Sequence, residues 1–345
     1  MKKKIIIVCS VYIVTCVSAA VVFLINTNYS RENQIVNERS YNIISNTYRA
    51  DKDLPSRVIP IADFTITDNF PILDGATAFR AVYQVFALYT YINKNIERND
   101  TRRINEFLSN YVHCYRTEWA YRHLLDGYAD IIFCLEPSQE QLQEFKDNNL
   151  DIRLIPIGRE AFVFFVNERN PVRNITVQDV LGIYSGRLTN WNELGGENNS
   201  ILAYQRPKNS GSQTILEKFM GNTPIIDPKT EIFESMGAII EFVAEYTNHN
   251  NAIGYSFLIY SLLHSSEMRE HERRGESIEY LSINGIFPGK ETIIDNSYPF
   301  IVDFYAIYIE KENMNQHIKP FIDWILSSQG QEIVSRYDYI PINRE

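Results

Sequence analysis

The run Arg206-Pro-Lys-Asn-Ser-Gly-Ser-Gln-Thr214 continues without a break into Ile215-Leu-Glu-Lys-Phe-Met220. Ile215, Leu216, Phe219 and Met220 fall on one stripe at helical spacing, which predicts a helix beginning near Ser212 with Ser210, Gly211 and Ser212 in its entry turn. Ile201-Leu-Ala-Tyr204 just before it reads as a strand, so the unit is strand, small-residue turn, helix. The first turn of a helix leaves four amides without intrahelical partners and carries the positive end of the helix dipole. Small residues let a tetrahedral oxyanion approach those amides, and serine hydroxyls add donors. Arg206 places a planar, permanent cation beside them. An ordinary serine cap next to a surface arginine has the same local sequence, so the neighbouring segments decide between the two.

The unit recurs towards the N-terminus. Phe70-Pro-Ile-Leu73 leads through Asp74-Gly-Ala-Thr-Ala-Phe79 into a helix marked by Val82, Val85, Phe86 and Tyr89. Tyr111-Val-His-Cys-Tyr115 predicts another strand, followed by Arg116-Thr117, a helix from about Glu118, and Gly127 as its stop. Asp130 to Leu135 reads as a short buried strand, and Pro137-Ser138 starts a further helix. Ala161 to Val166 and Phe300 to Tyr308 are long apolar strands, Thr176 is the predicted cap of a helix through Val180 and Tyr184, and a final helix carries Ile318, Phe321, Ile322 and Ile325. Alternating strands and helices predict an α/β fold with a mainly parallel sheet covered on both faces. Ligands in such folds bind at the carboxyl ends of strands, where helices begin.

With 345 residues, 45% hydrophobic and 22% charged, the chain is long enough for two packed domains of ordinary size. The net charge of −10, without a basic face, excludes a general nucleic-acid binder. Met1-Lys-Lys-Lys4 precedes an uncharged apolar run, Ile5 to Ile25, of 21 residues. Such a run can cross a bilayer as a helix with its lysines cytoplasmic; lipid attachment at Cys16 or a cleaved signal are the alternatives. Residues 1–26 are therefore expected to form a membrane anchor or signal segment, and the polar 27–57 a linker. Cys9 and Cys16 of the four cysteines lie in the apolar run, and Cys114 and Cys134 are expected as buried free thiols. No spacing suggests a metal or a cofactor.

Taken together, Pro156 to Asn167, Val180 to Gly196, Tyr204 to Thr214 and Asn251-Ala-Ile-Gly-Tyr255 resemble the phosphate-binding subunit of ABC phosphate importers. Tyr298-Pro-Phe300 and Phe321 to Ile333 extend the resemblance, which spans roughly Phe70 to Ile342. It implies a type II periplasmic-binding-protein fold, two lobes joined by two crossing strands, with Ala161–Val166 and Phe300–Tyr308 as the crossings. Residues 58–163 and 300–345 would form one lobe and 164–299 the other. The family's oxyanion ligands fall on Thr77, Ala78, Thr117, Arg206, Ser210, Gly211 and Ser212. One position departs: the aspartate that accepts a phosphate hydroxyl in the family corresponds to Leu135, with Glu136 beside it as a possible substitute. Arg80 and Arg116 adjoin contact positions and are candidates to add charge.

The implied function is a membrane-tethered extracytoplasmic protein, monomeric and not an enzyme, that captures phosphate or a similar oxyanion for ABC importer permease subunits. A sensor or partner-binding module on the same fold is the alternative reading. No nucleophile-and-base set accompanies Ser210 or Ser212.

Overall fold

A computed structural model describes residues 61–228, 232–245, 251–270 and 277–342. The expected anchor and linker, residues 1–57, lie outside these. Among the described residues no helix is long and apolar enough to cross a membrane.

The first third of the described chain builds strand–helix units. Buried β1 (Leu73–Gly75) passes through one 3-10 turn, Thr77–Phe79, into α1 (Arg80–Thr90). Val82, Tyr83, Phe86 and Ala87 form the buried face of α1, as the apolar spacing requires. After α2 (Thr101–Leu108), the expected strand at 111–115 is reduced to one parallel bridge, Leu73 to Val112. The reason is local: the Asp74 carboxylate accepts from Tyr115 N at 2.8 Å, so it takes the amide that a longer ladder would use. Then come α3 (Arg116–Asp126), β2 (Ile131–Cys134) and α4 (Gln139–Asp147). Gly127, at φ 76°, ends α3 in the left-handed conformation that glycine adopts without strain. A reciprocal capping box between Ser138 and Gln141 starts α4.

The strand β3 (Asp151–Asn167) organises the rest. Residues 151–161 pair with β9 (Ile301–Glu310), and residues 162–166 pair with β6 (Ala252–Phe257). One strand thus belongs to two sheets, and the pairing changes between Ala161 and Phe162. Gly158, at a register shift in β3, lies so close to the Phe304 ring that a Cβ would stand 2.4 Å from it. The chain returns at Phe300, whose carbonyl accepts from Phe162 N at 2.8 Å. The two expected crossings therefore differ: β3 itself spans both sheets, whereas β9 lies wholly in the first and the return is made at Phe300, the residue before it.

Between the crossings lie β4 (Asn174–Ile175), α5 (Val177–Tyr184), β5 (Leu202–Ala203), α6 (Gly211–Met220), α7 (Met236–Ala244), β6, α8 (Leu258–Glu270), β7 (Ile278–Tyr280), β8 (Ser282–Ile283) and α9 (Lys290–Ile294). After β9, α10 (Ile318–Ile325), α11 (Ser328–Arg336) and β10 (Ile340–Pro341) complete the first sheet's cover. The strand order is β1-β2-β9-β3-β6-β5. Pairing is parallel for β1–β2 and β5–β6 and antiparallel wherever β3 or β9 takes part, so the sheet is mixed instead of mainly parallel. The physical cause is the pair of central strands that carry the chain over and back. Phe162 lies at the change of sheets with the rings of Phe164, Phe219, Tyr255 and Phe257 at 5.3–5.9 Å. Through Phe219 this cluster anchors α6. Cys114 and Cys134 are buried and free, as expected.

Candidate functional site

The wall built by α6 begins at Arg206. Its backbone N–H donates to Tyr255 Oη at 2.9 Å and to Gln213 Oε1 at 3.1 Å, and the Tyr255 hydroxyl in turn donates to the same Gln213 oxygen. Burial pushes the Tyr255 hydroxyl pKa up, which keeps that donor in place. The turn between β5 and α6 is thereby pinned to β6. Ser210 is the N-cap, its Oγ accepting from Gln213 N at 3.4 Å, and Gly211 opens the helix. Ser212 Oγ and Arg206 Nε are both buried and both without a hydrogen-bond partner; Ser212 is 2% exposed and Arg206 8%. A buried donor left unsatisfied costs about 1–3 kcal/mol, more when charged. Thr214 Oγ1, one turn into α6, is likewise buried without a partner, so Arg206 to Thr214 carries three such groups.

Arg206 Nη2 donates to the Glu234 carbonyl at 2.8 Å. Burial lowers the Arg206 pKa first of all, and Arg116 acts in the same direction. The guanidinium nonetheless stays charged, because its ordinary pKa is so high.

The second wall is the start of α3. Thr117 is buried there, and Arg116 before it has φ 68°, a left-handed value costly for a residue with a Cβ. A Cβ added at Gly211 would stand 2.8 Å from Thr117 Oγ1 and 3.4 Å from Leu135 Cδ1, so the first turns of α3 and α6 touch. Arg116 Nη1 donates to Glu234 O at 3.4 Å, the same carbonyl that Arg206 reaches. Asp74 holds this wall from below. Its Oδ1 accepts from Gly75 N and Tyr115 N at 2.7 and 2.8 Å, and its Oδ2 lies 2.7 Å from His123 Nδ1.

Thr77 and Ala78 lie in the 3-10 turn after β1. Ala76 N donates to Phe133 O at 2.9 Å, which fastens that turn to β2. Thr77 Oγ1 is 3.9 Å from Cys114 Sγ, and burial raises the pKa of the Cys134 thiol well above its ordinary value. The structure brings Thr117, Gly211 and Leu135 into direct contact and joins Arg206 to the α3 wall through Glu234.

Two candidate substitutes are engaged elsewhere. Glu136 binds Lys218 Nζ at 2.7 Å and accepts from Tyr305 Oη at 3.0 Å, so its carboxylate joins α6 to β9 and leaves Leu135 without a replacement acceptor. Arg80 is held on its own helix by Gln84, whose amide oxygen accepts from its Nε and Nη2 at 2.7 and 3.1 Å. Glu234 was not foreseen as part of the site, because it contributes only a main-chain carbonyl and sequence says nothing of where a carbonyl points. Gln213 and Asp74 carried a faint signal, each lying inside a quoted turn.

A sequence-family profile described as a PBP superfamily domain matches residues 116–329. The chain belongs to the PBP superfamily. Its fold is the α/β, type II periplasmic-binding-protein-like one. The chain is 24% identical over 183 residues to the phosphate-binding protein PstS of Borreliella burgdorferi, covering 53% of this chain and 63% of that one. It is 27% identical over 194 residues to PstS of Bacillus subtilis, covering 56% and 58%. This PBP-superfamily chain thus spans about three fifths of the length of those curated relatives. A substrate-binding protein from Clostridium perfringens, crystallised with phosphate, superposes with a TM-score of 0.59 at 22% identity, over 80% of this chain and 100% of that one. At that identity the superposition speaks for the fold.

Proposed function

We propose that this protein is an extracytoplasmic solute-binding protein that captures inorganic phosphate, or a similar tetrahedral oxyanion, and is not an enzyme. The ligand set is Thr77 and Ala78, Thr117, Arg206, and Ser210, Gly211 and Ser212. One observation carries the reading: Arg206 Nε and Ser212 Oγ are buried donors without partners at the point where the starts of α3 and α6 meet. A tetrahedral anion supplies acceptors to both at once and accepts charge-assisted bonds from the helix amides. Sequence relatedness to phosphate-binding proteins supports the same ligand.

In this reading residues 58–163 with 300–345 form one lobe and 164–299 the other. They close on the anion about the Ala161–Phe162 and Phe300 crossings. The protein works as a monomer tethered through residues 1–26 and hands its ligand to ABC importer permease subunits. Titration calorimetry of the full-length chain with phosphate tests the ligand. Arg206→Ala is expected to cost at least about 2 kcal/mol of binding, since the bound anion loses a buried charged partner. A folded wild-type protein that takes up no phosphate at millimolar concentration, or an R206A variant of unchanged affinity, would remove the basis for this site.

A further inference from the structure

Asn209 stands in the turn that carries Arg206 and reaches across to the start of α4. Its side-chain oxygen accepts from Ser138 Oγ at 2.7 Å, and its amide nitrogen donates to Glu140 Oε2 at 3.0 Å. The buried Ser138 hydroxyl also accepts from Gln141 N at 3.1 Å, so it is used in both directions. Asn209 has φ 66°, a left-handed value that asparagine adopts more readily than most residues, and Ser210, the cap of α6, follows it. Lys208 adds an ion pair to the same Glu140 oxygen at 3.0 Å. Further along α6, Lys218 holds Glu136 at 2.7 Å, while Tyr305 of β9 donates to the other oxygen of that carboxylate at 3.0 Å.

These contacts join the elements that build the candidate site. Lys208 and Asn209 lie between Arg206 and Ser210, and Glu136 and Ser138 lie just beyond Leu135. Bonds between the two walls exist only while the walls are together, so they favour that arrangement over any in which the walls are apart. Their surroundings rank them. The Lys208–Glu140 and Lys218–Glu136 pairs are largely exposed, so salt screens them and each contributes little. The half-buried Asn209–Ser138 bond meets less competition from water and carries most of the effect.

We infer that Asn209, helped by Lys208 and Lys218, is a clasp that holds the arginine-bearing turn to the start of α4 and sets how fast the bound anion is released. This rests on the anion-binding reading above. Asn209 is a positioning residue and not one of the proposed ligands, so the encounter with the anion does not depend on it. It acts on the fraction of time that the liganded protein spends open.

The test follows uptake and release of radiolabelled inorganic phosphate by full-length wild type, N209G, S138A, S138A with N209G, K218A and R206A, with a melting temperature for each. Glycine is the replacement at 209 because it accepts φ 66° without strain. N209G is expected to release phosphate about three- to tenfold faster, with an association rate within about twofold of wild type. The two substitutions at 138 and 209 remove the same bond, so together they should release phosphate no faster than N209G does. K218A is expected to speed release by about twofold or less. A wild-type release rate in N209G, rate increases that multiply in the double variant, or a change confined to association overturns the clasp. Release from K218A faster than from N209G overturns its assignment to Asn209. Wild type that binds no phosphate, or R206A that binds as wild type does, overturns the site itself and this inference with it.

Discussion

Gly211 lies directly on Thr117: a Cβ at position 211 would come within 2.8 Å of Thr117 Oγ1, closer than real Cβ contacts come. The residues are far apart in sequence and stand at the starts of two helices. Their contact joins the first turns of α3 and α6.

Gly211→Ala is therefore expected to act on closure more than on folding. Alanine suits the first turn of a helix, so α6 itself loses nothing. The added methyl must push α6 away from Thr117 and Leu135, and overpacking of this kind costs about 1–3 kcal/mol. Separation of the two sides relieves it. Phosphate affinity should fall about tenfold or more while the melting temperature changes little. An affinity equal to wild type would mean that the ligand does not need this contact.

In the proposed site Leu135 sets the chemistry of the floor. Its side chain is fully buried, and its Cδ1 is one of the atoms nearest to a Cβ at Gly211. A leucine offers no acceptor to a phosphate hydroxyl, and Glu136 is occupied by Lys218 and Tyr305. Wild type is expected to bind phosphate and sulfate within about tenfold of each other, and Leu135→Asp to raise the preference for phosphate by about tenfold or more. Competition of the two anions in calorimetry, on variants checked for a cooperative melt, gives the ratio. An unchanged ratio would place Leu135 off the ligand.

Glu160 makes stability depend on pH. It is 1% exposed and lies just before the change of sheets, with Oε1 accepting from Ile259 N and Oε2 buried without a partner. Burial pushes its carboxyl from an ordinary 4.5 up to about 8. The folded protein therefore keeps a proton that the unfolded chain releases, and stability is greatest below the unfolded value. It is lost as pH rises through the folded one, with the penalty complete above it. Urea unfolding at about pH 5, 7 and 9 should show a shallower decline for Glu160→Gln than for wild type, because glutamine does not titrate. Parallel declines would show that this carboxyl ionises normally.

The sequence by itself determined the strand–turn–helix units, because apolar periodicity and small-residue turns act within a dozen residues. It placed the start of α6 near Ser212 and that of α3 near Glu118, within two residues of Gly211 and Arg116 where they form. It also brought out the chemistry of Arg206, since side-chain type is readable without a fold, while the family resemblance alone implied that Leu135 stands where a carboxylate is expected. Tertiary structure decided the rest. That β3 spans two sheets, and that β9 runs against it, depends on pairing between residues far apart in sequence, Phe162 with Phe257 and Ala161 with Ile301 among them. Glu136 faces Lys218 instead of the site because α6 is brought against β2, which no local signal encodes. The run Arg206–Thr214 could be read as a seat for an anion from its own residues. Only the tertiary structure sets Gly211 against Thr117, and Arg206 with Arg116 at the Glu234 carbonyl, because those contacts arise from packing across the fold.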